Sequence, residues 1–264
     1  MTRRLVLEWP DPRPFRARDG APIRILALSD DLDSTLTDHR NREALLPIDM
    51  LLGCGDLDFD DLGYVADALN APLVYVRGNH DFKSPWEEGT CPQPLGSPFL
   101  VKREGLTIGG LEWPGHHHRG NGRSEVGAWR HSISLVAHHV GHTAPLIVIS
   151  HVPPAGAGDV PTDAYHRGFE GYAWAMRHLH PLLWLHGHTP LAASPDWHTK
   201  VDGTEVVNVT GAVLVELLAP GSRRATNADG SEPKANAVAN RAEPAVEIGD
   251  GRDDRLEESA QSRR

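Results

Sequence analysis

The sequence has little of what stabilises secreted or membrane-inserted proteins. Only two of its 264 residues are cysteines, Cys54 and Cys91, and they form no CxxC pair and no disulfide framework. No apolar run approaches the roughly 18 residues that suggest a membrane span. The first apolar stretch is broken at Glu8 and Pro10, which makes it too short for a signal peptide. These absences predict a cytoplasmic protein with reduced thiols and no membrane partner.

An excess of positive charge is also missing. The chain has 26 Lys and Arg residues against 36 Asp and Glu residues, which gives a formal net charge of −10 at pH 7. Proteins that bind DNA or RNA draw much of their affinity from neutralising phosphates, so this balance argues against a nucleic-acid partner. The signatures GxxxxGK[ST], HExxH and GxSxG are absent as well, which excludes the mechanisms tied to those motifs.

The C-terminal stretch from Gly221 to Arg264 has no aromatic residue. Its only large aliphatic residues are Val238, Val246, Ile248 and Leu256. Such a composition cannot bury enough apolar area to offset the entropy of ordering the chain. We therefore predict a disordered tail over 221–264, an N-terminal extension over 1–22 and a folded domain over 23–220, which is long enough for a substantial core.

Short apolar runs, each followed by a polar sequence, predict buried strands. The five runs are Ile23–Ser29, Ile48–Leu52, Leu73–Val76, Pro145–Ser150 and Leu182–Leu185. Two closing strands are expected at Glu205–Val209 and Ala212–Leu218, and a hairpin around Gly105 within Phe99–Leu111. The Arg- and Pro-rich residues before Ile23 are expected to be irregular.

Apolar residues at helical spacing lie between these runs. One predicted helix carries Leu62, Val65 and Leu69 and is capped by Asp58 or Asp60. The other two carry their apolar residues at Trp129, Ile133, Val136 and Val140, and at Phe169, Tyr172, Met176 and Leu179. Strands alternating with helices predict an α/β fold.

The polar sequences after the five strands all contain Asp, Asn or His. In α/β sheets a ligand site lies outside the carboxyl ends of the strands, so these side chains are expected to meet at one edge. The chain also contains 16 histidines. Carboxylate, amide oxygen and imidazole together are metal ligands, and the pattern therefore predicts a metal site.

These blocks resemble, in order, the motifs of the calcineurin-like metallophosphoesterases. They are Asp30 in LSD, Gly55-Asp56, Gly78-Asn79-His80-Asp81, His151 in ISHVPP, and Gly187-His188. The resemblance runs from Asp30 to His188 and includes the closing strands through Leu218. The segment HRGF at 166–169 looks like a bacterial branch of the family. The resemblance implies a sandwich of central β-sheets flanked by α-helices and metal-dependent hydrolysis of a phosphate ester.

The family pattern also implies a role for each matching residue. The residues expected to hold one divalent metal are Asp56, Asn79, His151 and His188, with Asp56 bridging to a second metal. His80 would be the general acid that protonates the leaving alkoxide, and Asp81 would orient its imidazole. The metal would lower the pKa of bound water and offset charge on the phosphoryl oxygens. The ligand set suits Mn²⁺ best, with Fe or Zn²⁺ as alternatives.

The second metal site departs from the family pattern. It normally takes an Asp, here Asp30, a His two residues later, and the second His of a GHxH block. This chain has Leu32 and Pro190 at the two His positions. Losing both nitrogen ligands predicts one tight metal and a second site that is weak or altered. The substitute ligands considered from the sequence are Asp33, His39 and His186.

Several of these residues also have a purely structural interpretation. Asp33 is more often a cap or a solvated loop residue than a ligand, whereas His186 is equally suited to structural support and to metal binding. Arg77 and Arg167 are candidates for contact with phosphate oxygens, although a surface salt bridge is the commoner role. The run 116–118 of three histidines suggests a metal by composition, but its glycine-flanked position is typical of a solvated loop.

Two functions are compatible with these motifs. The first is a metal-dependent phosphoesterase acting on a small phosphate mono- or diester. The second is a non-catalytic, metal-holding binding module on the same fold. Leu32 and Pro190 favour the module. His80 and Asp81 favour the enzyme, because an inactive scaffold needs no general acid.

Overall fold

The computed structural model describes residues 2–81, 95, 100–115 and 122–222. Cys91, the histidine run 116–118 and the tail from residue 223 onward lie outside the described residues. The elements in chain order are β1 (Arg3–Glu8), β2 (Ile23–Ser29), α1 (His39–Leu45), β3 (Met50–Cys54), α2 (Phe59–Leu69), β4 (Leu73–Val76), β5 (Leu100–Arg103), β6 (Leu106–Leu111), α3 (Glu125–His139), β7 (Leu146–Ser150), α4 (Glu170–Leu179), β8 (Leu183–His186), β9 (His198–Val201), β10 (Thr204–Asn208) and β11 (Gly211–Leu218).

The strands form two mixed sheets. The first has the order β1-β11-β2-β3-β4, and its pairs are parallel except for β11 with β2. The second has the order β5-β6-β7-β8-β10-β9, with antiparallel pairs at its two edges and parallel pairs between them. The predicted hairpin around Gly105 is the β5–β6 edge. Parallel strands covered on both faces explain the continuous apolar runs.

The two sheets pack face to face, and helices cover their outer faces. Ile25 of the first sheet and Ile147 of the second belong to the core between the sheets. Val65 of α2 packs on the outside of the first sheet. Leu135 of α3 and Tyr172 of α4 pack on the outside of the second. These layers confirm the predicted α/β sandwich.

The prediction of an irregular N-terminal opening is wrong. Arg3–Glu8 form β1, which pairs in parallel with β11 at the edge of the first sheet. Leu5 and Trp9 enter the core between the sheets, and Trp9 is only 1% exposed. The partner strand lies at the other end of the domain, and a local apolar pattern carries no sign of such a pairing.

The predicted apolar face of α3 is also partly wrong. Ile133 is 54% exposed, whereas Ala128, Ser132 and Leu135 are buried. The cause is the close packing of α3 on α4. A Cβ atom at Gly171 of α4 would lie 3.0 Å from the carbonyl carbon of Ala128. Small residues therefore form the contact between α3 and α4. A search for large apolar residues at helical spacing does not detect them.

The prediction missed α1 and β9, and it left the cap of α2 undecided. The Asp58 side chain accepts a hydrogen bond from the backbone N–H of Asp60, so Asp58 is the cap.

Within the part of the chain that the structure describes, no helix is long and apolar enough to cross a bilayer.

Candidate metal centre and cleft

The polar sequences that follow five strands meet at one edge of the sandwich, as predicted. Two glycines allow the loops to approach so closely. A Cβ atom at Gly78 would clash with the Asp56 carboxylate, and one at Gly187 would clash with Ser29 and Asp30. The loop after β4 therefore lies on the loop after β3, and the loop after β8 lies on the loop after β2.

Three of the predicted ligands have a left-handed backbone. The φ angles of Asp30, Asp56 and His188 are 62°, 55° and 64°. Such angles are unfavourable for residues with a side chain and cluster at functional sites. Three of the eight described non-glycine residues with a positive φ are thus residues that the motifs assign to metal binding.

Hydrogen bonds define the tautomers of the two histidines at this edge. His151 Nδ1 donates to the carbonyl oxygen of Cys54 at 2.9 Å. His188 Nε2 donates to the carbonyl oxygen of Tyr165 at 3.0 Å. A carbonyl oxygen only accepts, so these nitrogens carry the hydrogens. In the neutral rings, His151 Nε2 and His188 Nδ1 then present lone pairs.

Three other acceptor atoms surround His151 Nε2, and we name these four atoms the four-acceptor centre. His151 Nε2 lies 3.2 Å from His188 Nδ1, 3.0 Å from Asn79 Oδ1 and 3.1 Å from Asp56 Oδ2. Lone pairs at these distances repel one another unless a proton or a metal cation lies among them. Two oxygen and two nitrogen donors fit a borderline divalent ion. This centre contains the four side chains that the family pattern assigns to one metal.

Outer hydrogen bonds hold these side chains in place. Asn79 Nδ2 donates to the Tyr165 hydroxyl at 2.9 Å, and the backbone N–H of His80 donates to Asp56 Oδ1 at 2.8 Å. Asp81 Oδ2 accepts from the backbone N–H groups of Asp56 and Gly78. Such partners orient metal ligands. Asp81 thus fixes two ligand loops, while its orientation of the His80 imidazole stays a prediction.

The charges at the centre compensate for one another. Burial lowers the pKa of His151, but the charge and hydrogen bond of Asp56 and the charge of Asp30 outweigh it and raise the pKa to about 9. Burial and the charge of His151 lower the pKa of His188 to about 3. A proton on His151 therefore neutralises the metal-free centre, and a divalent cation would replace that proton.

The position expected for a second metal has fewer ligand atoms among the described residues than the four-acceptor centre has. Asp30, Asp56 and His151 can bring ligand atoms within 4.8 Å of one another. Both carboxylate oxygens of Asp30 accept from the backbone N–H of His188, and Oδ2 also accepts from the Thr210 hydroxyl at 3.1 Å. Leu32 packs against the hydrophobic layer under α2. Protein donors therefore already engage Asp30, and Leu32 contributes to apolar packing.

A cleft of about 500 Å³ opens beside the centre. The residues that line it are Asp30, Asp31, Asp56, His80, Tyr165, His166, His188, Pro190 and Thr210. The His80 side chain is 51% exposed, and its Nε2 lies 3.8 Å from Asp56 Oδ2. A ligand in the cleft would therefore contact both the metal centre and the predicted general acid.

None of the three substitute ligands considered from the sequence lines this cleft. Asp33 caps a short 3₁₀ turn by accepting from the backbone N–H of Thr35 at 2.9 Å, in agreement with its structural interpretation. His39 is exposed at the start of α1. His186 is fully buried, its Nδ1 donates to the carbonyl oxygen of Gly187, and burial lowers its pKa to about 4.

The two arginines considered for phosphate contact also lie away from the lining of the cleft. The Arg77 guanidinium forms a two-pronged ion pair with Glu112, whose closest distance is 3.1 Å. The salt bridge is thus the role that the structure shows for Arg77. Arg167 is exposed, and its backbone N–H donates to the carbonyl oxygen of Asp163.

Four lining residues, Asp31, Tyr165, His166 and Thr210, were not assigned a site role by the motifs. Tyr165 and His166 lie on the irregular connection between β7 and α4, where no periodic pattern applies. The HRGF segment at 166–169 was the only sequence signal nearby. Arg123 secures this connection, because its guanidinium lies 4.0 Å from the Phe169 ring centroid and donates to the carbonyl oxygen of Gly168 at 2.7 Å.

Comparison with known proteins adds information on the fold. No protein-family model and no curated protein matches the sequence. The crystal structure of a dimetal phosphatase from Danio rerio has a TM-score of 0.49 and 12% identity, covering 72% of this chain and 87% of that chain. The crystal structure of TT1561 of Thermus thermophilus has a TM-score of 0.51 and 17% identity, covering 72% of this chain and 90% of that chain. This chain thus shares with TT1561 a fold of two mixed sheets flanked by helices, which is the sandwich that the resemblance of its motifs implies.

Proposed function

We propose that this chain is a metal-dependent hydrolase of a small phosphate mono- or diester. The observation that carries the proposal is the four-acceptor centre formed by Asp56, Asn79, His151 and His188 beside an open cleft. A divalent ion held there would act as a Lewis acid and lower the pKa of bound water. Mn²⁺ suits these ligands best, and Fe or Zn²⁺ are alternatives.

His80 is the proposed general acid. Its imidazole is half exposed within the cleft lining, where it can reach the ester oxygen of a leaving group. Its backbone N–H donates to Asp56, so the residue is tied to the metal centre through the main chain. A proton delivered from this side to the leaving alkoxide removes the cost of expelling a strong base.

Metal occupancy is proposed to be unequal. The four-acceptor centre should retain one ion through purification, whereas Asp30 and Asp56 offer the neighbouring position only oxygens and suit exchangeable Mg²⁺ or Mn²⁺. Mass-spectrometric metal analysis should find one metal per chain. Asp30→Ala should keep that metal and lose the activation by added Mn²⁺. Two tightly bound metals without supplementation would contradict this asymmetry.

The hydrolase proposal is tested with p-nitrophenyl phosphate and bis(p-nitrophenyl) phosphate in the presence of Mn²⁺. Wild-type protein should hydrolyse at least one of the esters, and His151→Ala should remove that activity. His39→Ala is the matched control, because His39 is exposed and does not line the cleft.

A non-catalytic metal-holding module is the second candidate. The observation that favours it is the Asp30 carboxylate, which already accepts hydrogen bonds from His188 and Thr210. Turnover of neither ester by metal-loaded protein would favour the module over the hydrolase.

A further inference from the structure

We propose that the Tyr165 hydroxyl donates a hydrogen bond to a non-bridging phosphoryl oxygen of the ester in the cleft. Tyr165 would then be a catalytic residue in addition to His80. This inference rests on the proposed hydrolase function and assigns a substrate contact to a residue that the motifs do not include.

The direction of the hydrogen bond with Asn79 leaves the phenolic proton available. Asn79 Oδ1 faces His151 Nε2 at the four-acceptor centre, so the amide nitrogen is the atom that faces Tyr165. The hydroxyl oxygen therefore accepts from Asn79, and its single hydrogen points elsewhere. No hydrogen bond among the described residues uses that hydrogen. Tyr165 lines the cleft and is 43% exposed, so a ligand in the cleft is the available acceptor.

The hydroxyl is held in a fixed position relative to the metal ligands. The Tyr165 ring lies against the His188 ring with centroids 5.0 Å apart, and the Tyr165 carbonyl accepts from His188 Nε2. The Arg123 guanidinium donates a hydrogen bond to the carbonyl oxygen of Gly168 and so stabilises the connection between β7 and α4 that carries Tyr165. A donor that is already oriented stabilises developing charge without reorganising during the reaction.

The charge of the cleft explains why such a donor is useful. Three carboxylates, Asp30, Asp31 and Asp56, line it. The described lining contains no Lys or Arg. With both imidazoles of the second metal position replaced, a second ion would be held more weakly, and its positive charge would be less available to the phosphoryl oxygens. A neutral hydroxyl can donate a hydrogen bond to those oxygens without adding charge to the cleft. Only the orientation of its proton has to be fixed.

Tyr165→Phe tests the proposal, because it keeps the ring and the backbone carbonyl and removes only the hydroxyl. We expect kcat to fall by about 10²-fold. The loss should be equal for p-nitrophenyl and alkyl esters, since the hydrogen bond is made to a non-bridging oxygen. Tyr64→Phe is the matched control: Tyr64 lies on α2, is 46% exposed and does not line the cleft.

Binding of inorganic phosphate to the Mn²⁺-loaded protein, measured by calorimetry, provides a readout that needs no turnover. Tyr165→Phe should bind phosphate about tenfold more weakly than wild type. If wild type hydrolyses no ester but this difference is seen, the hydrolase proposal and the catalytic role of Tyr165 fail, and only its contact with a phosphate oxygen stands.

Three results would overturn the assignment. One is a phosphate affinity that does not differ between wild type and Tyr165→Phe, including the case in which neither binds phosphate. Another is loss of the bound metal from the variant, which would mean that Tyr165 acts through Asn79. The third is a loss of kcat confined to poor leaving groups, which would place the proton on the leaving oxygen.

Discussion

His80 gives the most direct test of the chemistry at the scale of a single residue. His80→Ala should lower kcat by about 10²-fold or more on alkyl phosphate esters, and much less on p-nitrophenyl esters. The reason is that p-nitrophenolate leaves without a proton, whereas an alkoxide does not. Steady-state kinetics on both ester types, with metal content measured in parallel, checks this.

Metal content should be unchanged in His80→Ala, because the bond to Asp56 is made by the backbone N–H, which alanine keeps. An equal loss on both ester types would show that His80 binds or positions the substrate instead of donating the proton.

His151 is expected to make metal binding depend on pH. In the metal-free centre its pKa is raised to about 9, so below that pH a cation must displace a proton from it. His188, whose pKa is lowered to about 3, is already neutral and releases none. The apparent Kd for Mn²⁺ should therefore fall about tenfold for each unit of rising pH between about 6 and 8.

Calorimetric titration with Mn²⁺ at pH 7, in buffers of different ionisation heat, counts the released protons. We expect one per metal. An affinity that does not change with pH would contradict the assignment of His151 as the ligand that carries the proton.

At the scale of the element, β1 is part of the core and not an extension. Trp9, directly after β1, is buried between the sheets. Trp9→Ala should lower the free energy of unfolding by about 3–5 kcal/mol, because it leaves a large cavity. Val126→Ala on the exposed side of α3 should change it by less than about 0.5 kcal/mol. Urea denaturation of both variants is the measurement; a Trp9 effect as small as the Val126 effect would refute a core role.

The elements also show how far sequence reasoning reaches. Ile23–Ser29 and Leu73–Val76 were predicted because a strand buried on both faces is apolar at every position. Arg3–Glu8 was missed because it is an edge strand with polar positions and a partner distant in sequence. The buried side of α3 was misread because close packing against Gly171 selects small residues, which hydrophobic spacing does not weigh.

The residues of the candidate site also differ in whether the sequence could predict them. Asp30, Asp56 and His151 could be predicted because they lie within two residues of the ends of buried strands, and parallel strand ends converge. Tyr165 could not be found in this way. It lies on an irregular connection whose path depends on contacts with Arg123 and His188, and those contacts follow only from the complete fold.

At the scale of the whole molecule, the end of the described chain lies beside its first strand. The backbone N–H of Gly221 donates to the Glu8 carboxylate at 2.6 Å. Residues 223–264 contain no aromatic residue, so their sequence predicts no contribution to the core. A chain ending at Ser222 should keep its Tm within about 2 °C and its kcat on p-nitrophenyl phosphate. A chain ending at Thr210 is the control and should not fold, because β11 pairs with both β1 and β2. Calorimetry and kinetics on the two truncations decide the matter: a fall of many degrees in the longer one would mean that the tail packs on the domain.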